Sequence, residues 1–120
     1  MTASPPSART LVFDSGIGGL TIVEELRRLA PTLHIDYCAD TGFFPYGDKS
    51  DAALRARLPA LVADLVEKLR PDVFVIACNT ASTLALKEVR AAVSIPVIGT
   101  VPAINSGAKA SETGHIGWLA

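Results

Sequence analysis

The sequence predicts an α/β protein: a parallel sheet lying between two layers of helices, three layers in all. Two observations carry this. Along the 120 residues, short apolar runs alternate with segments of helical periodicity, the signature of strand, crossover helix and parallel strand joined in the right-handed sense. The run Val73 to Ala77 is apolar throughout rather than alternating, as a strand covered on both faces must be.

Taken in order, Met1 to Thr10 is polar, carries Pro5 and Pro6, and lacks the apolar centre of a signal peptide. Residues 1–9 are therefore expected to form a disordered tail. Leu11 to Phe13 is the first strand and delivers Asp14, after which Ser15-Gly16-Ile17-Gly18-Gly19 makes a glycine-rich turn. From Leu20, the residues Ile22, Val23, Leu26 and Leu29 recur at helical spacing until Pro31 stops the helix. The turn is not a nucleotide fingerprint, because Thr21 stands where a third glycine would be needed and no Lys-Ser/Thr follows. Its glycines permit a tight turn and close strand-to-helix packing, which is compatible with a substrate role for Asp14 and Ser15.

His34 to Ala39 is the second strand, with Cys38 inside it as a packing residue, and it delivers Asp40. The loop Thr41 to Gly47 holds Phe43, Phe44, Pro45 and Tyr46, too apolar for a plain solvent turn. It either closes over a ligand or folds back on the core. Ser50 or Asp51 caps a helix whose Leu54, Leu58, Leu61, Leu65 and Leu69 share a face beside Val62 and Val66, and Pro59 is expected to kink or divide it. Val73 to Ala77 is the third strand, followed by a helix from about Asn79 to Ala92 that Asn79 or Thr80 could cap. Val93 to Gly99 holds a fourth strand, Val101 to Ala110 is weakly helical, and His115 to Leu119 resembles a fifth strand. If the strand order is the flavodoxin-like 2-1-3-4-5, strands one and three are neighbours and their carboxyl ends flank the switch point.

Composition narrows the function. A formal charge of −1 with both signs scattered, and no basic cluster, lacks the electrostatic footprint of a nucleic-acid binder. No run is long enough to cross a bilayer, and Cys38 and Cys78 lack the spacing of a zinc or redox pair. No metal or cofactor is expected, and the residues suit a cytoplasmic protein with both thiols reduced. His34 and His115 have no partners in sequence and are taken as surface residues.

The centre of the chain is Asp72-Val-Phe-Val-Ile-Ala-Cys78-Asn79-Thr80-Ala81-Ser82. Cys78 falls at a strand-to-helix join, where side chains face the ligand crevice of an open α/β sheet and a helix N-terminus favours a thiolate able to act as base or nucleophile. A small buried cysteine with no chemistry is the alternative. With strands one and three adjacent, Asp14, Cys78 and the hydroxyls of Ser15 and Thr80 would surround one small polar pocket.

Three stretches, Phe13-Asp-Ser-Gly-Ile-Gly-Gly-Leu20, Pro45-Tyr-Gly47 with Lys49-Ser50 behind it, and Ile76-Ala-Cys-Asn-Thr-Ala-Ser82, closely resemble successive motifs of bacterial glutamate racemases. The resemblance runs from about Thr10 to the end of the chain. It implies one lobe of a two-lobed fold, with residues 10–100 forming the N-terminal lobe and 101–120 a crossover and the start of an incomplete second lobe. It also implies cofactor-independent inversion of glutamate by two cysteines on opposite faces of the substrate, supplying D-glutamate for peptidoglycan. Cys78 matches the first cysteine and Asp14 an acidic residue that assists proton transfer. Asp14, Ser15, Tyr46, Gly47, Asn79 and Thr80 match positions that hold the substrate. A homodimer is compatible with this picture. Nothing here corresponds to the Cys-Thr-His motif of the second lobe, and Gly42-Phe43 replaces the family's usual Ala-Arg. The other expectations are a non-catalytic racemase-like module that binds an amino acid or a protein, an aspartate racemase and, more remotely, a flavodoxin-like nucleotide binder.

Overall fold

The computed structural model describes residues 7–117. Strand β1 (Arg9–Asp14) is followed by helix α1 (Leu20–Leu29), β2 (His34–Ala39), two 3₁₀ turns (Thr41–Phe43 and Tyr46–Asp48), α2 (Asp51–Leu69), β3 (Val73–Ile76), α3 (Asn79–Ala92), β4 (Val97–Gly99) and α4 (Ile104–Ala110). The four strands form one parallel sheet in the order β2-β1-β3-β4. That is the flavodoxin-like order over the described strands, and it places β1 beside β3.

Because successive side chains point to opposite faces of a strand, β1 divides its apolar residues between two cores. Val12, with Val75 of β3, packs under α1 against Val23, Ile22 and Leu26. Leu11 and Phe13, with Phe74 and Ile76, lie under α2 and α3 against Leu54, Leu58, Val62, Ala81, Ala85 and Val89. The two faces account for the near-continuous apolar runs of β1 and β3 and for the three layers.

Several boundaries differ from expectation. β1 begins at Arg9, inside the stretch assigned to a tail, because the Arg9 backbone N–H reaches Asp72 at 2.7 Å and its side chain pairs with Asp36 at 2.8 Å; residues 1–6 lie outside the described residues. Pro59 does not divide α2, which runs unbroken. A proline inside a helix forfeits a hydrogen bond, yet Leu54, Leu58 and Val62 on either side of it are buried in the same core, so packing holds both halves in line. Neither Asn79 nor Thr80 caps α3: Cys78 is the capping residue, and it makes no side-chain cap bond. The fourth strand is confined to Val97–Gly99, after Pro96, whose missing N–H cannot join a ladder. Pro102 likewise delays α4 to Ile104. His115 to Gly117 take no strand conformation, and the remainder of the expected fifth strand lies outside the described residues.

Candidate active site

The register pairs Phe13 with Ile76, so the residues that leave the ends of β1 and β3 emerge side by side at the switch point. Asp14 is the last residue of β1, and Cys78 lies two residues beyond β3. The Ala77 N–H donates to the Phe13 carbonyl at 2.7 Å, carrying the β1–β3 link one step past the ladder. An open cleft of about 500 Å³ lies above this junction, walled by Asp14, Ser15, Cys78, Asn79, Thr100 and Phe44 together with the glycine turn.

The Asp14 carboxylate is oriented by backbone. Its Oδ1 accepts the Ser15 N–H at 2.8 Å, and its Oδ2 accepts the Gly19 N–H at 2.8 Å. Gly19 is required for that approach, since a Cβ there would lie 3.0 Å from the Cβ atoms of both Asp14 and Ala77 and 3.1 Å from Tyr37 Cε2. The Tyr37 hydroxyl donates to the Gly16 carbonyl at 2.7 Å and stands 3.5 Å from Asp14 Oδ2. Burial, and then the Asp14 charge, push its phenol above the usual value.

Cys78 is 7% exposed, and its Sγ lies 3.6 Å from Ser15 Oγ. The first-turn N–H groups of α3, which no side chain caps, start directly after it, and such groups favour an anion. Among the described residues, no Lys, Arg or His lines the cleft. The described donors at the cleft are the first-turn N–H groups of α3, the Asn79 amide and the hydroxyls of Ser15 and Thr100.

Of the residues singled out from sequence, the cleft brings together Asp14, Ser15, Cys78 and Asn79. It does not bring Tyr46, Gly47 or Thr80 to its wall. Tyr46 is 2% exposed and donates its hydroxyl to Asp40 Oδ2 at 2.6 Å, while the Arg57 guanidinium forks onto the same carboxylate at 2.8 and 2.7 Å. The Arg57 fork, aided by Tyr46 and opposed by burial, holds the Asp40 carboxyl below the usual carboxylate range. Burial and then Asp40 push the Tyr46 phenol well up. Since the Asp40 N–H donates to the Asp14 carbonyl at 2.9 Å, this buried network braces the aromatic loop directly behind the site. The loop divides: Phe43 and Tyr46 fold onto the core, as one of the two expectations had it, whereas Phe44, 60% exposed, lines the cleft. Cys38 is half-buried against the larger core, where burial raises its thiol. Sequence reasoning missed Tyr37, Arg57 and Thr100. Tyr37 alone left a signal, an inward position on β2 alternating with Asp36 and Cys38.

A thiol and a carboxylate at the switch point of a parallel sheet place the chain among the open α/β proteins, the class whose ligand crevice lies at the carboxyl ends of the strands. A family model described as Asp/Glu/Hydantoin racemase matches residues 20–120, and this chain belongs to that racemase family. The glutamate racemase of Sphingopyxis alaskensis is 53% identical over 114 residues, 95% of this chain and 42% of that relative. Among solved structures, the Escherichia coli glutamate racemase in complex with L-glutamate and the activator UDP-MurNAc-Ala superposes with a TM-score of 0.81 at 44% identity, covering 90% of this chain and 41% of that one. The Aquifex pyrophilus glutamate racemase gives a TM-score of 0.77 at 32% identity, covering 87% of this chain and 41% of that one. The chain thus spans about 42% of the length of the curated relative from Sphingopyxis. No described helix is long and apolar enough to cross a membrane.

Proposed function

We propose that this chain forms the N-terminal lobe, residues 10–100, of a cofactor-independent glutamate racemase, with residues 101–120 as the crossover toward a second lobe. The carrying observation is that Asp14 and Cys78 wall one cleft at the ends of adjacent strands, in a chain 44% identical to a racemase crystallised with L-glutamate. In this scheme the Cys78 thiolate removes the α-proton from one face of glutamate, and a thiol from the second lobe returns a proton to the other face. Asp14 assists the transfer at Cys78. Ser15 and Asn79 hold the substrate from the cleft wall, and Tyr46, Gly47 and Thr80, which lie off that wall, support it through the loop and the first turn of α3 rather than by lining the cleft.

The chemistry suits the residues. An α-proton is weakly acidic, so a base of ordinary strength needs the developing carbanion stabilised by fixed donors in a site that sheds water. The uncapped first turn of α3 and the Asn79 amide are such donors. The relatives' names favour glutamate over aspartate, and the product would serve peptidoglycan synthesis in the cytoplasm; a homodimer is compatible with the scheme.

Incubation with L- and D-glutamate in deuterated water tests the scheme. Inversion by the 120-residue chain alone is expected to be negligible, and any α-deuteration is expected to vanish in Cys78→Ala. Full-rate inversion would overturn the requirement for a second thiol, and deuteration surviving in Cys78→Ala would remove Cys78 from the reaction.

A further inference from the structure

We propose that Ser82 and Thr100 form a clamp that sets the position of Cys78 in the cleft, an inference that rests on Cys78 being the proton-transferring thiol. The carbonyl of Ile76, the last residue of β3, accepts three donors: the Thr100 N–H at 3.2 Å, the Thr100 hydroxyl at 3.0 Å and the Ser82 hydroxyl at 3.3 Å. Ser82 Oγ in turn accepts from the Thr100 N–H at 3.0 Å. Ser82 also lies in the first turn of α3, where its own N–H donates to the Cys78 carbonyl at 3.0 Å. Ile76, two residues before Cys78, and Ser82, four residues after it, are therefore bonded to each other, and both are bonded to Thr100, which itself lines the cleft.

Such a knot is not needed for packing. Ser82 is 3% exposed, and a hydroxyl at that depth is costly unless it is bonded, so alanine would fill the place more simply. The chain after β4 also has to come close to receive it. A Cβ at Gly99 would stand 3.2 Å from Ser82 Oγ and 3.0 Å from Leu86 Cδ2, so the glycine admits the contact. On its other flank, Ala77 is tied to Phe13 of β1 at 2.7 Å, the strand that carries Asp14. Cys78 is thereby suspended between two anchored neighbours, with the carboxylate on one side and the Thr100 wall on the other. Ser82 and Thr100 are positioning residues, acting through the backbone that carries the sulfur.

The rate of iodoacetamide alkylation, resolved at Cys78 and at Cys38 by peptide mass spectrometry on the 120-residue chain, tests the clamp. A nearly buried thiol reacts through local opening, and deleting one supporting hydrogen bond raises that opening about fivefold. Ser82→Ala and Thr100→Val are each expected to speed Cys78 about fivefold, while Thr100→Ser, which keeps the hydroxyl, restores the native rate and Cys38 is unaffected throughout. Equal Cys78 rates in Thr100→Val, Thr100→Ser and the native chain would overturn the clamp, as would parallel acceleration of Cys38, which marks general loosening. Should Ser82→Ala not fold, the Thr100→Val and Thr100→Ser pair decides alone. Added L-glutamate serves as a separate arm: failure to slow Cys78 alkylation in the native chain counts against the glutamate site, whereas the contrast between the Thr100 variants reports on the clamp.

Discussion

Gly19→Ala sets two physical effects against each other, and the structure says which wins. Gly19 has φ −66° and ψ −11°, an ordinary right-handed conformation that alanine adopts without strain. Backbone entropy alone would then make the substitution stabilising by about 0.4–1 kcal/mol. Packing opposes this. The new methyl would meet the Cβ atoms of Asp14 and Ala77 at 3.0 Å and Tyr37 Cε2 at 3.1 Å, and two of the three neighbours are Cβ atoms that cannot move without their strands. Overpacking of this kind costs about 1–3 kcal/mol. Relief would come from withdrawing the start of α1, which lengthens the 2.8 Å bond from Gly19 N–H to Asp14, a charge-assisted bond whose loss costs about 1.5–3 kcal/mol. The net expectation is destabilisation by about 2 kcal/mol, read as a lower urea midpoint at unchanged slope. Gly42→Ala is the control, because nothing lies within 4 Å of a Cβ there, and it is expected to change stability by less than about 0.5 kcal/mol. A Gly19→Ala chain as stable as the native one would refute the claim that close approach, rather than turn conformation, is the reason for this glycine.

Three further outcomes follow from the structure. Asp40 has a depressed folded value caused first by Arg57, so its contribution is complete above the unfolded carboxylate value near about 3.9 and is lost as pH falls through the lower folded value. Asp40→Asn should therefore cost about 2 kcal/mol at pH 7 in urea unfolding, with the gap to the native chain closing on acidification below pH 4; a gap independent of pH would contradict the ion-pair account. Arg70 ends α2 at φ +47°, and Arg70→Gly is expected to raise the unfolding free energy by about 0.5–1 kcal/mol, whereas a loss would show that its side chain matters more than its backbone. Pro59→Ala restores the donor missing from the interior of α2 and is expected to stabilise the chain by about 1 kcal/mol in thermal unfolding; a lower midpoint would mean that the proline ring is itself part of the packing.

What could be read from the chain before any coordinates were the features set by local pattern. The apolar run at Val73 and the periodicity after Cys78 placed α3 from Asn79 to Ala92, as observed, and the alternation of elements implied a parallel sheet, whose β2-β1-β3-β4 order is the flavodoxin-like one considered for it. Features decided by long-range packing were not legible. Pro59 read as a break because the core that spans it is supplied by other elements. Tyr46 read as a loop residue, yet its hydroxyl is buried on Asp40, whose other partner, Arg57, lies 17 positions along the chain. Thr100 entered the cleft through a bond to Ile76, 24 residues before it, and no spacing rule encodes such a pairing.

The sheet register explains why the thiol and the carboxylate meet at all. Side chains along a strand alternate faces, so a slip of one residue between β1 and β3 would turn the entire apolar set of one strand to the wrong core. The pairs Leu11–Phe74 and Phe13–Ile76 keep four large side chains under α2 and α3, and Val12–Val75 keeps the small ones under α1. The same register that satisfies both cores brings Asp14 and Ala77 level at the strand ends, and the Ala77 bond to Phe13 extends it to the residue before Cys78. Core packing on both faces of two central strands thus determines the geometry of the cleft, and polar contacts such as those of Gly19, Ser82 and Thr100 refine a placement already made by apolar side chains.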